Sequence, residues 1–513
     1  MTTLIEAMRD SARRYPDRPA ILAGGHVIDH RSFGALSDRV AAGLAAQGVA
    51  KGDRIGLYCP NVPDFAIAYA GILKAGATVV PLNLLINTEE AAYILADSGA
   101  KGLLFHVALA EPAARLRAAV PELEFAVALG GAVEGTPSFG NFLKSAAPLP
   151  APELDPQEDL AAILYTSGTT GFPKGAMLTH GNLVANIASI REAMHWRPGE
   201  DVVLLVLPMF HAFAATVGML TPLTNGCAFV PVPRFEPDLV AEAIHASRAT
   251  VFLGVPSMYS VLLRLKDEKA PLLASLRCCV AGGAALPVEV LKRFEAKFGV
   301  RVYEGDGPTE CSPVTCVNPV GGLAKPGTVG LPIPGVEMRI VDDAGNELPD
   351  GQVGEIAVRG PNVMKGYWQR PEETAEVMRG EWFLTGDLGT RDAAGYFSIV
   401  DRKKDMIIVN GMNVYPRMIE EVLHRLEGVR EAAVVGEPSD LHGEIPIAYV
   451  AVDESSGLTE VSLRAHCREH LGRHQVPKRF EILPELPKNA TGKILKRQLR
   501  KQGEVERGVR GLE

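Results

Sequence analysis

At 513 residues the chain exceeds what one hydrophobic core holds, and ~150 residues per domain implies roughly three units. Hydrophobic residues make up 47% and charged residues 22%, which excludes global disorder, and a formal charge of −9 without a basic stripe over any domain excludes a nucleic-acid-binding role. No stretch reaches the ~18 uninterrupted apolar residues of a membrane span, and the N-terminal MTTLIEAMRDSARRYPDR has charges where a signal peptide needs its apolar core, so a cytoplasmic protein is expected.

Residues 1–160 open on a predicted helix, then a hairpin-like AILAGGHVIDH, a helix over Ser32–Gln47, a strand at Arg54–Tyr58, an apolar helix over Asp64–Lys74 and a buried strand at 76–83. From 160 onward apolar strands and amphipathic helices alternate. The strands fall at Leu160–Tyr165, Val202–Leu207, Ala228–Val232, Val251–Leu253, Arg277–Ala281 and Val300–Tyr303. The helices fall at Asn182–Trp196, Pro237–Ser247, Ser257–Leu265 and Pro287–Phe298. Such alternation specifies an α/β architecture of mostly parallel sheets covered by helices on both faces. After 320 the texture turns Gly- and Pro-rich, with alternating segments at Glu337–Val341 and Val353–Arg359, the mark of a small β-rich subdomain. The charge cluster DRKKD at 401–405 then separates two apolar runs. Beyond it YPRMIEEVLHRL starts a helix at Pro416, and a compact α+β unit follows. The expected domains are 1–400 and 401–513.

The seven cysteines include no C-x-x-C, so neither a disulfide framework nor a zinc site is signalled. His466, His470 and His474 recur at four-residue spacing on a predicted helix beside Cys467. That spacing suits metal ligation or an exposed helix face, and with no second cysteine pair nearby the exposed face is expected. The basic end, from Lys493 through Lys496 and Arg500 to Arg510, reads as a solvated helix or a seat for polyphosphate. No feature of the sequence sets the oligomeric state.

The stretch ILYTSGTTGFPKG at 163–175 concentrates the chemistry. An apolar strand runs into a loop of Ser, Thr, Gly, Pro and one Lys, and a helix is expected after it, which together make a phosphate cradle. Gly168, Gly171 and Gly175 let backbone N–H groups approach an anion, Thr166, Ser167, Thr169 and Thr170 bring hydroxyls, and Lys174 brings charge. The spacing is not that of the Walker loop, because Phe172-Pro173 separates Gly171 from Lys174. A polar surface loop would share this composition. Thr309-Glu310 follows a glycine-bearing turn after a predicted strand and places a carboxylate where Mg²⁺ on a nucleotide is held. Asp387, in FLTGDLG, reads as a turn carboxylate suited to ribose hydroxyls. Lys493, in PKNATGKILKR, sits in a loop entering a basic helix.

YTSGTTGFPKG, GPTE, TGDLG, DRKKDMIIVNGMNVYP and PKNATGKILKR, in this order and spanning nearly the whole chain, resemble the adenylate-forming enzymes, the superfamily of acyl-CoA synthetases, luciferase and peptide-synthetase adenylation domains. LYTSGTTGFPKGAMLTHGNL, VPSMY, GPNVMKGYW and IVDRKKDMII are most similar to bacterial fatty-acyl-CoA ligases. The resemblance implies a large N-terminal domain and a small mobile C-terminal one, hinged at Lys404. It implies ATP, Mg²⁺ and coenzyme A as co-reactants and a small-molecule carboxylic acid as substrate. Lys493 is implied as the lysine bridging carboxylate and α-phosphate, Glu310 as the metal carboxylate, and Thr309 as a neighbour of the α-phosphate. Asp387 and Arg402 match positions holding the ribose, and Gly411 matches the loop admitting pantetheine. His211 matches a position beside the acyl pocket, which would also draw on Ala214, Val255, Tyr259, Gly283 and Ala284.

These pocket positions are small or apolar apart from His211, and no aspartate at 212–215 pairs a substrate ammonium, which favours an apolar acid over an amino acid. A medium- to long-chain fatty acid is the expectation. An aromatic or alicyclic acid would also fit, and a non-catalytic nucleotide- or acyl-binding relative is a further alternative, opposed by Glu310, Asp387, Arg402 and Lys493. The chain departs from the family pattern at Asp306, where an aromatic ring ordinarily stacks on adenine.

Overall fold

Apolar runs of four to seven residues without polar alternation are strands buried on both faces, and the two large sheets are built from them. The computed structural model describes residues 2–144, 148–166, 173–439, 441–488, 492 and 494–500. In the nine-stranded sheet, Val302–Asp306, Cys278–Ala281, Val251–Gly254, Val202–Leu205 and Ala228–Pro231 are parallel neighbours in that order. The six-stranded sheet runs Phe125–Leu129, Ala100–His106, Arg54–Tyr58, Thr78–Pro81 and Leu160–Thr166, all parallel, and ends on the antiparallel Lys174–Thr179. One apolar cluster joins the two sheets through the Pro63–Lys74 helix, in which every residue from Phe65 to Lys74 is buried. Pro63 in its first turn, with Asp64, and Lys74 in its last suit the helix ends.

The β-rich part is an antiparallel sheet of Glu337–Val341, Gly354–Arg359, Trp382–Arg391, Met378–Arg379 and Phe397–Arg402. A separate sheet of Met412–Val414, Ile407–Val409, Gly443–Val452, Val429–Ser439 and Arg479–Leu483 forms the C-terminal domain with helices Pro416–His424 and Glu460–His470. Its core gathers Ile407, Val414, Ile419, Leu423, Val434 and Leu463. The architecture is the expected one.

Several local expectations are corrected. Between the glycine-rich loop and the helix lies a strand, Lys174–Thr179, paired antiparallel with Leu160–Thr166 from Thr166 opposite Lys174 onward, while the helix expected over Asn182–Trp196 is present at His180–Ala193. The helix therefore follows a strand and not the loop directly. Ala176 and Leu178 face the core and hold KGAMLT in the sheet. Asp387 lies within the Trp382–Arg391 strand instead of a turn. The helix bearing His466 and His470 ends at His470, so His474 leaves the predicted face. His466 Nε2 meets the Val422 carbonyl at 3.0 Å, and among the described residues no group of three or more His, Cys, Asp or Glu is placed to hold a metal ion. All seven cysteines are buried thiols, and no helix among the described residues is long and apolar enough to cross a membrane.

The edge strand Lys174–Thr179 is not left open. Met177 N–H donates to Gly366 O, Lys365 N–H to Met177 O and Trp368 N–H to Gly175 O, so the 365–368 segment pairs with its outer side. Asp97 anchors this junction: its carboxylate accepts from Tyr165 Oη at 2.6 Å and Arg370 Nη2 at 2.7 Å, and its carbonyl accepts from Trp368 Nε1 at 3.0 Å. Burial, then the Asp97 hydrogen bond, push the Tyr165 phenol far up, so it donates permanently. Asp97→Ala leaves Tyr165 and Arg370 without their acceptor at the root of the glycine-rich loop. We expect it to destabilise the protein by about 1–3 kcal/mol, read as a lowered thermal midpoint, whereas Asp10→Ala on the surface should leave the midpoint within error.

Candidate active site

The carboxyl ends of four parallel strands reach one sheet edge, where open α/β sheets receive ligands. Val202–Leu205 leads to His211, Val251–Gly254 to Val255, Cys278–Ala281 to Gly282, Gly283 and Ala284, and Val302–Asp306 to Thr309 and Glu310. The turn after the last strand is tight: a Cβ at Gly307 would fall 1.7 Å from the Pro313 carbonyl oxygen, so only glycine fits. Asp306 itself ends the strand, and its carbonyl accepts from the N–H and hydroxyl of Thr315.

The apolar side is closely built. The chain at Gly282 runs between Phe213 and the Gly305 carbonyl, which lie 3.3 and 3.5 Å from where a Cβ would stand. From Ala214 to Leu220 the backbone is a π-helix, buried throughout and without a charged side chain. Such turns recur at functional sites. His211 Nδ1 accepts from Phe213 N–H at 3.3 Å, which places the proton of the neutral ring on Nε2. Tyr259, expected to line the pocket, belongs to the core instead: it is fully buried, its hydroxyl donates to Val280 O at 2.8 Å, and its ring meets Phe252 and Phe294 edge-on. Gly492 sits against this side too, its carbonyl accepting from Ser257 Oγ at 3.3 Å with Val255 beside it.

The polar side pairs Asp387, only 6% exposed, with Arg402, whose Nε is 2.8 Å from the carboxylate across the register of their two strands. Asp387, followed by Asp306, Glu310 and Asp405, holds the Arg402 guanidinium above its ordinary value against the cost of burial, so four carboxylates share this cation's surroundings. Glu310 Oε1 accepts from Tyr367 Oη at 2.8 Å, and Lys174 Nζ lies 5.5 Å from the centre of the same ring. Ser167, Gly168, Thr169, Thr170, Gly171 and Lys493 lie outside the described residues, while Thr166 and Lys174 end the two paired strands.

The C-terminal domain reaches this edge. Arg417 N–H donates to Asp401 Oδ2 at 2.9 Å, and its guanidinium reaches the Ile399 carbonyl and comes 3.9 Å from Glu304 Oε1. Lys496 pairs with Glu420 at 2.8 Å and Arg500 with Asp405 at 2.8 Å, so these basic residues are engaged by acids, which corrects the solvated helix. Lys404 is in the turn after the Phe397–Arg402 strand. Gly411 follows Asn410 at an exposed hairpin tip, with φ of 77° and 51° and nothing within 4 Å of a Gly411 Cβ, so the turn itself calls for glycine.

The sequence assigns no role to Tyr367, Asp97, Arg370, Glu304 or Arg417. The aromatic pair in GYWQRP was the one local signal for the first. The others are joined across 16 to 273 residues of chain.

Family comparison follows this geometry. Residues 8–368 match the AMP-binding enzyme family and 418–493 match the AMP-binding enzyme C-terminal domain. The chain belongs to this family and is an AMP-forming acid–CoA ligase that uses ATP. It is 36% identical to a long-chain-fatty-acid–CoA ligase of Bacillus subtilis (strain 168), over 97% of this chain and 94% of the relative. It is equally 36% identical to a feruloyl-CoA synthase of an Amycolatopsis species, over 96% of this chain and 97% of the relative. The ATP-bound crystal structure of MatB from Rhodopseudomonas palustris superposes with a TM-score of 0.90 at 33% identity, covering 98% and 99% of the two chains.

Glu304 supplies a pH test of the interdomain seat. It is 2% exposed, and Oε2 finds no partner among the described residues. Burial pushes its carboxyl up to about 7 against Arg417 and the Leu286 N–H bond, with Glu421 and Asp306 adding repulsion. Between the ordinary value of 4.5 and about 7 the folded protein holds a proton the unfolded chain releases, so stability falls as pH rises through that window. Glu304→Gln should abolish the fall and leave the variant the more stable partner above pH ~7, by on the order of 3 kcal/mol at most. Thermal midpoints from pH 4.5 to 8 measure it.

Proposed function

We propose that the protein ligates a medium- to long-chain fatty acid to coenzyme A. The reading is carried by the wall from Ala212 to Leu220, which brings no charge to the sheet edge where Asp387, Arg402 and Glu310 gather. A substrate carboxylate oxygen attacks the α-phosphorus of ATP, the bond to the α–β bridging oxygen breaks, and pyrophosphate leaves. The thiolate of coenzyme A then attacks the acyl carbon, and AMP leaves with the electron pair of the broken C–O bond. Catalysis in the first step is mainly positioning and placement of cations. Lys493 bridges the carboxylate and the α-phosphate, with Thr309 beside it. Ser167, Gly168, Thr169, Thr170, Gly171 and Lys174 grip the outer phosphates, and Asp387 and Arg402 hold the ribose. His211, Ala214, Val255, Gly283 and Ala284 line the acyl side.

Glu310 is the carboxylate for Mg²⁺. Hard oxygen donors and the lack of an all-protein cage among the described residues fit a cation whose other ligands are water and phosphate oxygens. When bound, Mg²⁺ neutralises charge on the phosphates. The seat of Gly492 beside Val255 supports this arrangement as the one for adenylation, and the exposed Gly411 hairpin as the element that replaces it after the domain turns about Lys404 in the 401–405 hinge. The domains 1–400 and 401–513 are the units of that motion.

An aromatic acid is the second reading, favoured by the Phe213 ring against Gly282 and by the feruloyl-CoA synthase relative. Pyrophosphate release with fatty, benzoic and cinnamic acids, with and without coenzyme A, tests both. We expect kcat/KM for C12–C16 acids at least tenfold above the aromatic acids. The reverse order would establish the second reading, and no acid-dependent release would sink both.

Asp306 yields a separate expectation. Tyr303 does not supply the missing ring: it is buried, and its hydroxyl accepts from Gly321 N–H at 3.3 Å. A stack on a base is worth roughly 1–3 kcal/mol in nucleic-acid sites. Asp306→Tyr should therefore lower KM for ATP about tenfold while leaving kcat unchanged, since the base is held alike in ground and transition states. Steady-state kinetics at saturating acid read it directly.

A further inference from the structure

Tyr367 stands between two groups that the proposed reaction gives separate tasks. Its hydroxyl donates to Glu310 Oε1 at 2.8 Å, and the Lys174 ammonium lies 5.5 Å from its ring centre, within the range of cation–π attraction. The residue is fixed from several sides. Tyr367 pairs with Ala176 across the edge of the hairpin, its N–H donates to Thr374 Oγ1 at 2.9 Å, and Met364 N–H donates to the Glu310 carbonyl at 2.7 Å. The ring therefore belongs at once to the strand that leaves the glycine-rich loop and to the turn that carries Glu310.

The phenol is the donor and the Glu310 carboxylate the acceptor of this bond. A carboxylate with one oxygen held this way cannot swing freely, and its second oxygen keeps one direction. A buried tyrosine needs some partner for its hydroxyl, and the Asp97 carboxylate meets that need for the neighbouring Tyr165. Tyr367 instead uses the carboxylate facing the nucleotide. We propose that Tyr367 is a positioning residue that couples divalent-metal binding at Glu310 to triphosphate binding at Lys174. The phenol aims the carboxylate, and the ring fixes the ammonium relative to it, so each ligand finds the other's site already ordered. This rests on the reading of Glu310 as the metal carboxylate.

The two contacts separate by substitution, because Tyr367→Phe removes the donor and keeps the ring, while Tyr367→Leu removes both. The experiment titrates Mn²⁺ into full-length protein with ATP present, following free Mn²⁺ by electron paramagnetic resonance, and measures ATP binding by calorimetry in EDTA and in Mg²⁺. Thermal midpoints confirm folding. Loss of a partner behind a metal ligand typically costs 10–100-fold in affinity, so Tyr367→Phe should weaken Mn²⁺ about tenfold or more and leave ATP binding in EDTA unchanged. Tyr367→Leu should weaken ATP in EDTA as well. In a Glu310→Gln background, Tyr367→Phe should add no further loss, because both changes remove the same interaction. Mn²⁺ affinity within about twofold of the unaltered protein, an equal loss of ATP in EDTA for the Phe variant, or additive losses in the double variant would each overturn the proposal. If metal fails to tighten ATP binding in the unaltered protein, the Glu310 reading falls, and the coupling with it.

Discussion

The parallel register of four neighbouring strands is the constraint from which the site follows. Phe252 lies opposite Cys279 and Cys279 opposite Val302, so the strands finish level, and whatever follows each strand is delivered to the same edge. His211, Val255, Gly283 and Glu310 are separated by as many as 99 residues of chain, yet their meeting requires no long-range coding beyond strand order. A helix must cross over between successive parallel strands, which leaves the carboxyl-end loops to vary in sequence without disturbing the core. The Pro308-Thr309-Glu310 turn, the Gly282-Gly283 turn and the π-helix after His211 exploit that freedom.

Much of this was legible in the sequence. The strands at 202, 228, 251 and 278 are short apolar runs, and their ends lie within two residues of the expected ones. The failures share a cause. The stretch expected to be loop runs to Gly175 on its Ser, Thr, Gly, Pro and Lys content, but Lys174 and Gly175 open the strand Lys174–Thr179, which pairs on one side with Leu160–Thr166 and on the other with 365–368, so tertiary pairing outweighs local composition. Asp387 was assigned to a turn by its Gly-Asp dipeptide; the left-handed Gly386, φ 74°, marks an irregularity inside a long strand instead. Tyr259 sits in a motif that runs past the pocket, and the helix that starts at Pro256 turns its ring into the core. Contacts such as Tyr367 with Glu310 have no sequence signal, because they depend on two turns meeting across 57 residues.

Charged side chains make contacts between the larger part of the chain and the C-terminal sheet and helices. The Arg417 guanidinium, near the start of the Pro416–His424 helix, reaches the Ile399 carbonyl and comes 3.9 Å from the buried Glu304 carboxylate, and Arg264 stands 4.0 Å from Asp453. Pairs of this kind fix orientation but add little net stability, because desolvation offsets much of the attraction. In the proposed domain turn a seat assembled from such contacts would be left and regained, whereas a large apolar interface would hold one arrangement. The same C-terminal sheet keeps its apolar core separate from that of the larger sheets, with Ile407, Val434 and Leu463 packed among themselves.

Asp306 makes the electrostatic balance of the nucleotide side unusual, and that balance explains why the remaining groups stand as they do. Asp306, Glu310 and Asp387 all act on the single guanidinium of Arg402. A triphosphate entering such surroundings meets net negative charge, and at 4 Å two unit charges cost about 4 kcal/mol at an effective dielectric near 20. Arg402 is largely committed to Asp387 at 2.8 Å, so it cannot neutralise the phosphates as well. In the proposed function the deficit is met by Lys174, by Lys493 and by a divalent cation at Glu310. In the proposed reaction metal and nucleotide binding are therefore obligatory partners. A device that ties Glu310 to Lys174 matters more here than in a chain whose base pocket is aromatic and uncharged.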